Sequence, residues 1–153
     1  MSEIFISASL YGELIRTCVD ALPHKAFGLV GGTDIYHPQT IYPCKTNLRN
    51  DPEWKPLFES FGDFYKDPDL GFVISHPEVK AVMEAIDSRN ESVVGVFHSH
   101  RFLNAEPSEI DIYLNSASDL LSYIVSVVDT SAPVLGVFHL NGGGCQRIPI
   151  IRY

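Results

Sequence analysis

The sequence predicts an α/β (α+β) fold, a mixed β-sheet flanked by helices. Three observations carry this reading. Apolar residues recur at helical spacing, as in Leu10, Leu14, Cys18 and Leu22. Apolar runs such as residues 92–100 are long enough for strands and too uniform for strands wetted on one face. Turn signals at Pro23, Gly31-Gly32 and Asn141 to Gly144 separate these segments.

Ser7 and Ser9 are candidate N-caps of a first helix that runs to about Ala21, with Ile15 and Val19 widening its stripe and Pro23 stopping it. Residues 26–32 read as a buried strand ending in a glycine turn, and residues 35–42 as its hairpin partner. The stretch 43–70 is dense in aromatics, prolines and charges, too aromatic for a disordered linker. It reads as an insertion that packs on the domain or covers a cleft. Residues 71–74 suit a short strand. Ser75-His76-Pro77 then opens a helix to about Asn90, with Val79, Val82, Met83 and Ile86 inward. After the strand at 92–100, Pro107-Ser108 begins a helix to about Asp119, with Ile110, Leu114, Ala117 and Leu121 facing the core. Residues 121–129, 134–140 and 145–151 close the chain as three strands, the last two joined by the triple-glycine turn. A single domain over residues 1–153 is expected, with the insertion at about 43–70.

With 153 residues the chain can bury a core without staples, and 45% hydrophobic against 20% charged residues is ordinary for a soluble protein. A net charge of −8 argues against nucleic acid or an anionic membrane as partner. Cys18, Cys44 and Cys145 are scattered and lack a CxxC pair, as expected for free thiols in a reducing compartment. No basic leader and no long apolar run stands out, so a cytoplasmic location is expected.

The chemistry concentrates in "GVFHSHRFLNAEPSEID", residues 95–111. Alternate residues of a strand share a face, so His98 and His100 project together while Ser99 points away. Asp111, in the first turn of the next helix, can add an oxygen. Two nitrogens and one carboxylate leave a fourth position open, the donor set of a catalytic zinc rather than a structural one. Ser108 lies three residues before Asp111 and could support a developing oxyanion, although Ser and Asp at a helix start are more often caps. The other histidines lack such company: His76 adjoins a helix start, His24 and His37 flank turns, and His139 sits on a strand. The glycines before Cys145 lack the strand-to-helix context of a phosphate loop, and the His-x-Glu and Cys-x-x-Cys pattern of zinc deaminases is missing.

"HSH", seven residues, then "SEID" resembles the His-x-His-x7-Ser-x-x-Asp signature of the JAMM (MPN+, Mov34/PAD-1) metalloprotease family, prokaryotic type. The resemblance runs through the first helix, "PHKAFGLVGG", "GFVISHPEVKAVMEAI" and the later strands, and is weakest over residues 43–70. It implies a deaminase-like fold and one Zn²⁺ bound by His98, His100 and Asp111, with Ser108 as oxyanion support. It also implies hydrolysis of peptide or isopeptide bonds at the C-terminal tail of ubiquitin or of a ubiquitin-like sulfur-carrier protein. Two positions depart from the pattern. Arg101 stands where such proteins usually carry proline after the second histidine. Lys25 stands where the family places its general base, a glutamate three residues before the glycine of a "GLL"-like strand.

An ammonium cannot accept a proton and repels a metal dication. Losing a general base typically costs about 10²–10⁴-fold in rate. Glu106 is the first candidate for a surrogate base, with Glu109 and Glu13 behind it. Two functions therefore stand open: a zinc-dependent peptidase acting on such a tail, and a catalytically impaired module of the same fold that binds the partner without cleaving it.

Overall fold

The computed structural model describes residues 2–153. Strand β1 (Ile4–Ile6) and helix α1 (Ala8–Asp20) open the chain, followed by β2 (Phe27–Asp34) and β3 (His37–Cys44). A short α2 (Lys55–Glu59) precedes α3 (His76–Ser88), β4 (Ser92–His100) and α4 (Glu109–Asn115). The chain ends with β5 (Leu121–Ser126), β6 (Val134–His139), β7 (Gln146–Arg147) and β8 (Ile150–Arg152). Six strands form a mixed sheet in the order β3-β2-β4-β5-β6-β7, in which only the β4–β5 pair is parallel. Strands β1 and β8 pair in parallel as a separate ribbon. The mixed α+β architecture expected from the sequence is the one observed.

Helix α1 begins where Ser7 accepts a hydrogen bond from the Leu10 N–H, and it buries Leu10, Leu14 and Cys18. These pack on one sheet face against Val30, Ile41, Val94 and Val137. Each such leucine removed from water is worth about 1.5–3 kcal/mol. Helix α3 covers the opposite face, setting Val82 and Ile86 against Phe27, Leu29 and Cys44. It stops in a Schellman turn: Asn90 takes φ 54°, its N–H bonds the Asp87 carbonyl, and the Glu91 N–H bonds that of Ile86. With a helix on each side, β4 is buried on both faces, as its composition required.

Several expected elements fall differently. Gly31 and Gly32 lie inside β2 at breaks in its register rather than in a turn. A side chain at Gly31 would collide with the Glu91 carboxylate and the Tyr42 ring. Residues 71–74 do not form a strand: Ile74 makes one isolated bridge to Asn47, and the Val73 N–H is taken by the Asn47 side chain. Helix α4 ends at Asn115, not Asp119, because Asn115 and Ser116 side chains bond the carbonyls of Asp111 and Tyr113 and compete with the backbone ladder. Ala117 is consequently exposed and Leu121 belongs to β5. Met83 is also exposed, since the contact face of α3 is confined to Val82 and Ile86. The last run divides into β7 and β8, and the three-residue β1 was too short to register as a periodic pattern.

The 43–70 stretch contains two 3-10 turns around α2, and Phe58, Tyr65 and Leu70 pack on Ile110 of α4. Its stem is tied to α3 by Glu78, whose carboxylate accepts the N–H groups of Lys45 (2.7 Å) and Thr46 (2.8 Å) and the Ser75 hydroxyl (3.1 Å). Partial burial opposes ionisation of Glu78, but these donors outweigh it and leave its pKa below the usual value. A depressed folded pKa contributes stability that is present above the unfolded pKa of about 4.3 and is lost as pH falls through the folded value. Glu78→Gln is therefore expected to cost about 1–2 kcal/mol at pH 7, with the deficit shrinking below about pH 4. Urea unfolding at both pH values checks this; a deficit that does not change with pH would remove the charge from the account.

Candidate metal centre

The centre forms at the carboxyl end of the parallel β4–β5 pair, a common place for ligands in sheets of this kind. His98 and His100 leave β4 on the face covered by the insertion, where the His98 ring lies 5.0 Å from the Phe72 ring. Ser99 points the other way. Its hydroxyl accepts the Ala26 N–H at 2.9 Å, and its own N–H bonds the Ala26 carbonyl at 2.9 Å. That pair fixes where the chain enters β2 relative to the end of β4.

Asp111 is delivered by the start of α4. Ser108 is the N-cap: its hydroxyl accepts the Asp111 N–H at 3.3 Å, while Asp111 Oδ2 accepts the Ser108 N–H at 2.9 Å. The same Oδ2 lies 3.1 Å from His100 Nε2 and 3.3 Å from His98 Nε2, and the two imidazole nitrogens are 3.1 Å apart. All three side chains are buried. A tetrahedral zinc with bonds of about 2.0–2.1 Å holds its ligand atoms about 3.3–3.4 Å apart. The observed triangle is close to one face of that tetrahedron.

The protons point the same way. His100 Nδ1 donates to the Asn104 carbonyl at 2.8 Å, which leaves Nε2 as the ring nitrogen that faces the centre. Burial lowers the His98 pKa to about 4 against the pull of Asp111, so His98 is neutral at pH 7. Burial would raise the Asp111 pKa, yet His98 and His100 hold it well below the ordinary carboxylate range. Acceptors thus outnumber donors in a dry site, and His98 Nδ1 is buried without a partner. Such a cluster suits a cation.

Lys25, next to Ala26 before β2, turns its side chain inward. Its ammonium donates to the Ser99 carbonyl at 2.6 Å and lines a cavity with His100, Ser108 and Asp111. Burial pulls its pKa to about 8, opposed by Asp111 and reinforced by Arg101. Arg101 lines the same cavity, donating to the Pro23 carbonyl at 2.6 Å and lying 3.7 Å from Asp67 of the insertion. Apart from Asp111, no carboxylate among the described residues lines this cavity. Glu106 and Glu109 line an adjoining groove instead, where Glu106 accepts from Asn104 at 3.3 Å, and Glu13 is exposed on α1.

His24 and His76 are exposed and His37 pairs with Asp34, so none of them joins the cluster. Cys18 and Cys44 are buried, which pushes their thiols up to about 12 and about 11, while Cys145 is exposed. No helix among the described residues is long and apolar enough to cross a membrane. Sequence reasoning missed Phe72, Tyr65 and Asn104 as walls of the centre, and nothing in local pattern distinguishes them. It also missed Arg49, wholly buried inside the 43–70 stretch.

A model of a protein family described as prokaryotic homologs of the JAB domain matches residues 7–137. No curated protein matches the chain. Among solved structures, protein DSY2949 from Desulfitobacterium hafniense is similar with a TM-score of 0.76 and 23% identity over 98% of this chain and 92% of that one. AF2198, a JAB1/MPN domain protein from Archaeoglobus fulgidus, is similar at 0.55 and 17% identity, covering 99% and 100%. A structure described as a JAMM metalloprotease-like zinc site in the proteasome and signalosome is similar at 0.53 and 15% identity, covering 98% and 99%.

Proposed function

The chain belongs to the family of prokaryotic homologs of the JAB domain, and from that premise we propose that it is a zinc-binding domain that receives the C-terminal tail of a small ubiquitin-like or sulfur-carrier protein and cleaves it poorly. One observation carries the last clause: the Lys25 ammonium shares the cavity of His100 and Asp111, with no second carboxylate among the described residues that line it. His98, His100 and Asp111 would hold the zinc, whose contribution when bound is Lewis acidity toward a carbonyl and toward water.

The chain's own residues divide the rest of the work. Asn104 keeps the Nδ1 proton on His100, so that Nε2 can act as a ligand. Ser108 accepts one bond as a cap and keeps its hydroxyl proton to donate into the cavity it lines. Lys25 can stabilise a negative charge but cannot take a proton while charged, so hydrolysis lacks its acceptor. A low-turnover binding module fits that set better than an efficient peptidase.

Metal analysis and a melting experiment test the reading. The natural protein is expected to retain about one zinc per chain, and Asp111→Ala or His100→Ala to retain none. Free zinc at about a hundredfold over Kd is expected to stabilise the natural protein by about 2.7 kcal/mol. A natural protein that neither binds zinc nor gains melting temperature from it overturns the proposal.

A further inference from the structure

We propose that Lys25 and Arg101 form a carboxylate pocket, which holds the free C-terminal carboxylate of an already released tail. This rests on the tail-receiving function above. It changes what is received: the acid end of a chain rather than an internal bond.

The donors are present and underused. Lys25 spends one of its three N–H groups, on the Ser99 carbonyl at 2.6 Å. Arg101 bonds the Pro23 carbonyl at 2.6 Å and faces Asp67 at 3.7 Å, but its Nε is buried with no partner. A buried donor left unmade is costly, so the Arg101 side chain gains by turning that N–H toward an incoming oxygen. Two cations line this cavity, and Asp111 is the one anion among its described walls. Any metal held by the histidines adds further positive charge. Asp111 and Asp67 offset the two cations, so a metal on the histidines would leave an excess of positive charge for an anionic guest to balance.

Shape selects the kind of anion. The cavity beside His100 and Asp111 is narrow, with room for little more than one water-sized group. One oxygen of a terminal carboxylate can enter there, with the unbranched glycine behind it at the mouth. From there the walls Phe64, Tyr65, Leu103 and Ser108 continue into a groove of about 280 Å³ completed by Asn104 and Pro107. An extended peptide can lie in that groove with its end between Lys25 and Arg101. Glu106 and Glu109 line the groove as well, so the cavity end alone attracts an acid.

The test uses the full chain, zinc-loaded and metal-free, and a dye-labelled neutral pentapeptide ending in Gly-Gly, either as the free acid or as the C-terminal amide. Fluorescence anisotropy is expected to show the acid bound at least tenfold more tightly than the amide. Lys25→Gln and Arg101→Gln should each bring the acid down toward the level of the amide, with a smaller change in the amide. Acetate should compete only far above the concentration at which the acid peptide does. Equal binding of acid and amide by the natural protein overturns the inference whatever the variants do, so a variant that misfolds does not protect it. Acetate competing as well as the peptide also overturns it, because the groove would then contribute nothing. Discrimination of acid from amide by a protein that binds no zinc leaves the pocket standing and removes the zinc reading. Zinc binding without that discrimination does the reverse.

Discussion

Lys25→Glu is expected to raise hydrolysis of a ubiquitin-like tail fusion by about 10²–10⁴-fold in the zinc-loaded protein, the range a positioned general base supplies. The Lys25 Nζ lies against the Ser99 carbonyl and in the cavity with His100 and Asp111. Exchanging an ammonium for a carboxylate there turns a repulsion of the metal into an attraction, so zinc affinity should rise in the same variant. A carboxylate also faces the Ser99 carbonyl without a shared proton, so metal-free Lys25→Glu should melt below the natural protein. The two measurements, gel-resolved cleavage and zinc competition with a chelator, separate the causes. Tighter zinc without faster cleavage would mean that the introduced carboxylate misses the reacting water. If the natural protein cleaves as fast as the variant, Lys25 is not what limits turnover, and Glu106→Gln then asks whether that acid serves instead.

The second large effect is structural. Arg49→Leu is expected to unfasten the insertion at a local cost of about 3–5 kcal/mol, since three buried carbonyls each lose a bond to a charged donor. The Arg49 guanidinium is fully buried and donates to the carbonyls of Asp67 (2.5 Å), Leu70 (2.8 Å) and Tyr65 (2.9 Å), with its centre 4.8 Å from that of the Phe58 ring. Leucine would fill part of the space and leave three carbonyls unsatisfied. Arg49→Lys should rescue little, because a compact ammonium cannot span the three acceptors of a planar fork. Gly71 closes the same loop at φ +75°, and an added Cβ would collide with the Phe58 ring, so no larger residue fits there. Limited proteolysis should cut Arg49→Leu rapidly between residues 51 and 69 while the sheet keeps its amide protection. Equal resistance in variant and natural protein would show that packing of Phe58, Tyr65 and Leu70 on Ile110 suffices without the arginine.

That contrast indicates what was legible. The stripes Leu10–Leu14–Cys18 and Val82–Ile86 became the two helix faces, and the run 92–100 became the central strand. Each signal is local, repeating within a few residues, and each survives because the sheet buries both of its faces. The errors have local causes too. Side-chain bonds from Asn115 and Ser116 ended α4 early. Glycines that suggested a turn mark close approach of Glu91 and Tyr42 to Gly31, and of the His37 and Pro38 backbone to Gly32. The insertion gave no periodicity, because one buried guanidinium binding carbonyls organises it, and carbonyls carry no sequence signal.

The sequence by itself determined the convergence of His98, His100 and Asp111. Strand alternation puts the two imidazoles on one face, and a capping serine three residues before the aspartate turns its carboxylate back toward them. Both are short-range geometry, satisfied within fourteen residues of chain. Only the tertiary structure decided what surrounds that cluster. Lys25 reaches the Ser99 carbonyl across 74 residues of sequence, Arg101 reaches Pro23 across 78, and Arg49 holds a roof drawn from 16 to 21 residues away. A side chain's period says which face it takes on its own element. Which cavity it enters depends on how the elements dock, and here docking sets two cations, Lys25 and Arg101, in the cavity of His100 and Asp111.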